Sequence, residues 1–160
     1  MKKILAICAL FLPALLVGCD VHKAAFSPQF NGCVDSFACH YFNWQLDKAA
    51  KFCTPESKKW LQFAASQVQP EDLEQIRKMP DNFAYAYEIT KGSAQGVAAE
   101  VALSVENFYV LDSIGKPGHP QDKGTFHLQL VKQGETWKVS LGSLPRMGKK
   151  QQGKAQKATP

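Results

Sequence analysis

The sequence predicts an α+β protein in which N-terminal helices pack on a curved, four-stranded antiparallel sheet. Apolar residues recur at helical spacing between Phe30 and Ile76, whereas between Phe83 and Leu141 they alternate with polar residues. Helices and strands are therefore segregated along the chain, which is typical of α+β domains. The 160 residues, 45% of them apolar, suffice for one hydrophobic core and are too few for two.

Four helices are predicted in the first half of the chain. The first begins at Ser27-Pro28, because Ser caps a helix and Pro fits its first turn. A short second helix covers residues 46–53. The third and fourth open at Thr54-Pro55-Glu56 and at Pro70-Glu71-Asp72, which combine a first-turn Pro with acids that suit a helix N-terminus.

Four strands follow, over residues 83–90, 99–106, 126–131 and 137–141, and the second has a continuation as far as Leu111. A loop rich in Gly and Pro is predicted over residues 112–124. From Arg146 onward the chain is polar and basic without apolar periodicity, and we interpret residues 146–160 as a disordered basic tail.

The N-terminus has the layout of a secretory signal. Met1-Lys2-Lys3 is basic, residues 4–16 are apolar, and Leu16-Val17-Gly18 stands directly before Cys19. This last tetrapeptide resembles the bacterial lipobox. The resemblance implies a signal peptide over residues 1–18, lipidation with fatty acyl chains at Cys19 and a tether over 19–27. The protein would then be anchored by lipid in the bacterial cell envelope, facing the periplasm, on either membrane. The alternatives are an ordinary signal peptide with an incidental Cys19, or an uncut anchor.

The net charge of +5 belongs to the two ends of the chain. Residues 19–145 carry 12 basic and 14 acidic side chains, so the predicted domain is close to neutral. A nucleic-acid-binding domain needs a basic face of its own. The charge distribution therefore argues against nucleic acid as a partner.

Three segments resemble the nuclear transport factor 2-like (cystatin-like cone) superfamily, and in particular its small bacterial lipoproteins of unknown function. They are Phe42 to Ala50 followed by Cys53-Thr54-Pro55-Glu56, the long strand from Val97 to Val105, and the hairpin from Phe126 to Val139 with its Gly134-Glu135-Thr136-Trp137-Lys138-Val139 end. The resemblance spans about residues 28–142 and implies a cone-like domain over 28–145. The loop 112–124 is long for the family. Since this fold is used by catalysts and by binding proteins, it implies no activity.

The sequence predicts no catalytic residue, cofactor or metal ligand. The apolar face of the predicted strands contains no acid and no His, and His127 falls on the opposite face with Glu100. His40 is the one His expected near the interior. Cys33, Cys39 and His40 lie close in sequence, but their spacing is not a usual zinc pattern.

Aromatic side chains are the best candidates for a ligand pocket. The aromatic residues that could line a small apolar pocket are Tyr41, Trp44, Tyr85, Tyr87 and Trp137. Ordinary packing in the core is the alternative.

Three cysteines follow Cys19, and an exported chain permits disulfides. Cys33 and Cys39 on one helix would be about 9 Å apart along its axis, too far for a bridge. Cys33 and Cys53 are therefore the candidate disulfide, and three buried thiols are the alternative.

These patterns together predict a non-catalytic, lipid-anchored protein that binds a small apolar ligand or another envelope protein. Two alternatives remain open. One is an enzyme of the same fold acting on a small hydrophobic substrate, and the other is a scaffold that forms a homodimer through its outer sheet face.

The lipobox resemblance yields a direct prediction for Cys19→Ser. This variant has no thiol to acylate and is expected to be soluble or unprocessed, whereas Cys8→Ser, in the apolar signal region, is the matched control. Membrane fractionation with acyl labelling measures the outcome. Normal labelling and membrane retention of Cys19→Ser would contradict the assignment.

Overall fold

The computed structural model describes residues 28–79, 83–92, 96–111 and 113–148. The predicted signal peptide 1–18, Cys19, the tether 19–27 and the part of the predicted tail from residue 149 lie outside these residues.

Helices occupy the first part of the described chain. They are α1 Pro28–Phe42, α2 Leu46–Ala49, α3 Lys58–Gln67 and α4 Pro70–Lys78. Short 3-10 turns at Ala50–Phe52 and Pro55–Ser57 join α2 to α3. Proline is the first residue of α1, of α4 and of the second 3-10 turn. This is expected, because the first N–H groups of a helix have no partner within the helix, so proline loses no hydrogen bond there.

Four strands form one antiparallel sheet in the order β1-β2-β3-β4, namely β1 Ala84–Gly92, β2 Ala98–Val110, β3 His119–Gln133 and β4 Thr136–Ser140. Helices first and an antiparallel sheet after them confirm the predicted α+β class, and the arrangement is consistent with a cone-like fold. The connections between neighbouring strands are short, as antiparallel pairing allows.

The loop predicted over residues 112–124 is shorter than expected, because β3 begins at His119. Residues 119–123 pair with the far end of β2, for example His119 with Val110 and Gln121 with Phe108. These residues lack apolar alternation, so their side chains give no strand signal. Backbone groups make the ladder, and β2 is long enough to offer them partners.

The inner face of β2 changes parity near its end. Val101, Leu103 and Val105 alternate into the core, and then Phe108 is also buried. Asn107 lies between them with φ 57°, in the left-handed region that Asn tolerates better than most residues. This local twist turns the Phe108 ring inward.

The core lies between α1 and the sheet. Phe30, Val34 and Phe37 on α1 are almost fully buried, as are Leu128 and Val139 on the sheet. The turn before α3 is tied to β4 by buried polar contacts: the Thr54 N–H donates to the Val139 carbonyl at 2.9 Å, and Ser57 Oγ accepts from the Leu141 N–H at 2.8 Å. These bonds satisfy backbone groups at the end of β4.

After Leu141 the chain returns to β3 and belongs to the fold as far as Gly148. Met147 forms an isolated antiparallel bridge with Phe126, and the Gly148 N–H donates to the Thr125 carbonyl at 2.8 Å. A Cβ at position 124 would lie 2.8 Å from the Met147 sulfur, so Gly124 permits this approach. The prediction assigned Arg146 to Gly148 to the tail, because one Met between polar residues shows no periodicity.

The returning segment can be tested by two truncations. A chain ending at Pro145 loses the Met147 contact and one backbone hydrogen bond, which together stabilise by about 1–3 kcal/mol. A chain ending at Gly148 keeps both and is the matched control. Denaturant melts are expected to show the shorter chain less stable by that amount, and equal midpoints would contradict the structural role of this segment.

Candidate functional site

A cavity of about 490 Å³ lies at the end of the sheet where α1 ends. Its walls come from the α1–α2 junction, from α3, from the end of β2 with the loop after it, and from residues 143–147. The volume is within the roughly 300–1,000 Å³ range of small-molecule sites. The cavity therefore has the size of a ligand-binding site.

The floor of the cavity is aromatic and buried. Phe42, Phe108 and Phe126 are 7%, 1% and 2% exposed, and their ring centroids lie 5.0–5.5 Å from one another. Such edge-on and tilted pairs are favourable aromatic geometries. The floor offers apolar contact and no charged group.

The rim of the cavity is open to solvent. Ser113, Ser143 and Arg146 are exposed, and the Ile114 side chain is 75% exposed although it lines the cavity. An exposed Ile beside an apolar floor adds hydrophobic surface at the entrance. The arrangement is that of a pocket with a buried end and a wet end.

Trp44 lines the wall in a strained backbone conformation. Its φ is 58°, in the left-handed region, where a bulky residue is uncommon. The turn is closed by the Gln45 N–H, which donates to the His40 carbonyl at 2.8 Å. Trp44 Nε1 donates to the Tyr109 carbonyl at 3.3 Å, so the indole is fixed against the end of β2.

Asp72 on α4 ties the lining residue Tyr109 to two segments behind the wall. Its carboxylate accepts from the Gln69 N–H at 2.7 Å, from the Tyr109 hydroxyl at 2.9 Å and from the Gly118 N–H at 2.7 Å, and the residue is fully buried. A Cβ at position 118 would lie 2.5 Å from both the Tyr109 ring and the Val110 carbonyl oxygen. Only glycine lets this backbone come so close.

The ionisation of Asp72 follows from these contacts. Burial opposes the charged form and is the largest single influence, but the hydrogen bonds from Gln69, Gly118 and Tyr109 together outweigh it and hold the pKa of Asp72 below its ordinary value. Burial and the bond to Asp72 raise the pKa of Tyr109 to about 12. At neutral pH the pair is therefore a carboxylate that accepts from a neutral phenol.

The predicted pocket residues fall into two groups. Tyr41 and Trp44 line the cavity. Tyr85 and Tyr87 instead donate hydrogen bonds to Asp35 and Asn31 on α1, and the Trp137 ring packs edge-on against Phe30 at 4.6 Å between ring centroids. These last three side chains bind the sheet to α1 and are outside the cavity lining.

The sequence-based prediction missed most of the other lining residues. Trp60 and Phe63 show helical spacing on α3, but spacing alone does not say which end of the sheet the helix covers. Ile114, Leu144 and Met147 lie in segments without periodicity. Their apolar character in otherwise polar loops was the one available signal.

Cys33 and Cys53 are both thiols that are not joined in a disulfide. Cys33 Sγ donates to the Phe52 carbonyl at 3.7 Å and Cys53 Sγ to the Ala49 carbonyl at 3.5 Å, so the candidate Cys33–Cys53 disulfide is not formed. Burial raises the pKa of Cys33 to about 11 and that of Cys53 to about 12. Both sulfurs are protonated at neutral pH and are weak nucleophiles.

The histidines singled out by the sequence lie away from the cavity lining. His40 Nδ1 is 3.0 Å from the Gln45 side-chain oxygen, and its ring stacks on Phe52. His127 is exposed on the outer sheet face, 3.5 Å from Glu100. Over the described ranges no three His, Cys, Asp or Glu side chains are grouped as a metal site would require. Among the helices of the same ranges, none is long and apolar enough to cross a membrane.

No protein-family model matches this chain, and a comparison with curated proteins found no match either.

Asp72→Asn tests the buried carboxylate. The side-chain NH2 of the new Asn would face backbone N–H groups that need an acceptor. We therefore expect the free energy of unfolding to fall by about 2–3 kcal/mol at neutral pH. Tyr109→Phe removes one of the three hydrogen-bond donors to Asp72 and should lower the free energy of unfolding by less. Because the folded-state pKa of Asp72 is depressed, its stabilisation is complete above the ordinary aspartate pKa and is lost as the pH falls toward the lower, folded-state value.

The stability difference between wild type and Asp72→Asn should therefore narrow as the pH falls below about 4. Urea melts across this range measure it. A difference that is constant with pH would show that the ionised form is not what stabilises the wall.

Proposed function

We propose that this protein is a non-catalytic, lipid-anchored protein of the bacterial cell envelope whose nuclear transport factor 2-like domain binds a small apolar ligand. The lipobox resemblance at Leu16 to Cys19 supports the anchoring, and the resemblance over residues 28–142 supports the family. The binding activity is supported by the aromatic cavity, and above all by what lines it.

The chemistry of the cavity favours binding over catalysis. Tyr41 is the one hydroxyl on the inner wall not already paired with Asp72, and burial raises its pKa above the ordinary value, so it stays neutral. The cavity lining contains no His, Cys or carboxylate among the residues that the structure describes. General acid–base catalysis needs a titratable group within reach of the substrate. Apolar contact is the interaction that these walls offer a bound molecule.

The way in which the cavity walls are held in place supports ligand binding, and argues against a space left by loose packing of the core. Its buried end is held by the three Phe rings, and its wall is fixed by Asp72 and by the Trp44 bond to Tyr109. A cavity whose walls are hydrogen-bonded to one another can stay open without a ligand. Such pre-formed sites bind with a smaller loss of conformational entropy.

A cavity-filling pair of variants tests the proposal. Ala64 and Ala65 are neighbours on α3; Ala64 lines the cavity, whereas Ala65 is exposed and outside it. Ala64→Phe places a ring in the volume that the ligand would occupy. If about two methylenes of the ligand lose their burial, binding is expected to weaken about tenfold. Ala65→Phe is the matched control and should bind as the unmodified chain does.

The measurement is a titration with the neutral apolar fluorophore N-phenylnaphthylamine, followed by energy transfer from Trp44 and Trp60 in the cavity wall. A chain from residue 19 with Cys19→Ser contains every described residue and needs no detergent. Saturable binding that Ala64→Phe weakens supports the proposal. Absent binding, or equal binding by the Ala64 and Ala65 variants, would contradict it.

A further inference from the structure

We propose that the ligand of this cavity is an amphiphile with one apolar chain and an anionic head group, a carboxylate or a phosphate, and that Arg146 holds the head. This inference rests on the proposed binding function and names the class of molecule bound. Three observations carry it: the charge at the rim, the position of Arg146 and the division of the cavity into a buried floor and an exposed entrance.

Arg146 is the one formally charged side chain among the cavity-lining residues that the structure describes. The described ion pairs join Lys91 and His127 to Glu100, and Lys123 to Glu106, all on the sheet. Neither of those acids neutralises Arg146. The formal charge of the described lining residues is therefore positive, which favours an anion and opposes a cation.

The buried acid that is hydrogen-bonded to this wall does not change this balance. Asp72 is bonded to the lining residue Tyr109, but it is fully buried, and its two oxygens already accept from Tyr109, Gly118 and Gln69. Its carboxylate serves the wall itself. No comparable hydrogen-bonded acid is attached to the rim residues in the described part of the chain.

The backbone around Arg146 is fixed, so the charge stays at the entrance. Met147 next to it forms the bridge with Phe126, and the Gly148 N–H bonds to the Thr125 carbonyl. Pro145 restricts the chain on the other side. The side chain of Arg146 is exposed, so its guanidinium remains solvated and can reach a head group at the rim.

The chemistry of the two ends defines the ligand class. A guanidinium presents a planar set of donors that matches the two oxygens of a carboxylate or a phosphate. Phe42, Phe108 and Phe126 in the buried part of the cavity offer only apolar and aromatic surface. A molecule that satisfies both ends has an anionic head in water and a hydrocarbon chain in the cavity.

The experiment compares four probes that share one hydrocarbon chain: dodecanoate, dodecyl phosphate, dodecanol and dodecyltrimethylammonium. Each is titrated below its micelle concentration into the Cys19→Ser chain from residue 19, by calorimetry at low and at high salt. We expect one or both anions to bind about fivefold more tightly than the alcohol, the gain of an exposed ion pair, and the cation to bind most weakly. Which anion binds more tightly distinguishes a carboxylate head from a phosphate head.

Three variants assign the preference to Arg146. Arg146→Gln should bring the anions to the affinity of the alcohol and leave the alcohol unchanged. Arg146→Lys keeps the charge and should keep most of the salt-dependent preference. Arg77→Gln changes the other Arg of the chain, exposed on α4 and outside the cavity lining, and should behave as the unmodified chain.

The outcomes separate this inference from the proposed function. Equal affinity for the anions and the alcohol, or an anion preference that survives in Arg146→Gln, overturns the head-group inference while the cavity remains a binding site. Failure of all four probes to bind overturns both. If Arg146→Gln proves unstable in a thermal melt, the Arg146→Lys titration decides, since a loss of preference there contradicts a charge-based role.

Discussion

The antiparallel ladder between β2 and β3 is the constraint on which the rest of this structure depends. These are the longest strands, of 13 and 15 residues, and they pair from Ala98 with Val131 to Val110 with His119. The α1 helix is bonded to Tyr85 and Tyr87 of β1 and packs Phe30 against Trp137 of β4, and it shares one core with the buried inner face of β2 and β3. Beyond it the sheet continues, and its exposed apolar face must be covered by something else.

Irregular elements cover this far end, and the cavity is the space that they leave. The α1–α2 junction, α3, the loop after β2 and the returning segment 143–147 meet there without forming a regular layer. Their backbone groups need partners, which Asp72 supplies to Gln69 and Gly118, and Thr125 to Gly148. A few specific hydrogen bonds thus hold these irregular elements together.

The same division locates the proposed function. Beneath α1 the side chains of Val34 and Phe37 are almost fully buried, and the polar atoms of Tyr85 and Tyr87 are paired with α1. At the far end the aromatic floor is unfilled and opens toward Arg146 and Ile114. Binding of an apolar molecule is favourable where apolar surface is not already covered by protein. The proposed ligand and its head group are therefore assigned to this end of the sheet.

The sequence by itself determined the order and type of the elements, because apolar spacing, first-turn prolines and alternation are local signals. It also determined that Phe30, Val34 and Trp137 would be buried, since each lies in a periodic run. The tertiary structure alone decided which aromatic side chains meet: Tyr41 and Trp44 line the cavity, while Tyr85, Tyr87 and Trp137 contact α1. It also decided the start of β3 at His119, the inclusion of Met147 and the role of Asp72. Each of these depends on backbone bonds or contacts between different segments of the chain, and side-chain periodicity carries no information about such pairs.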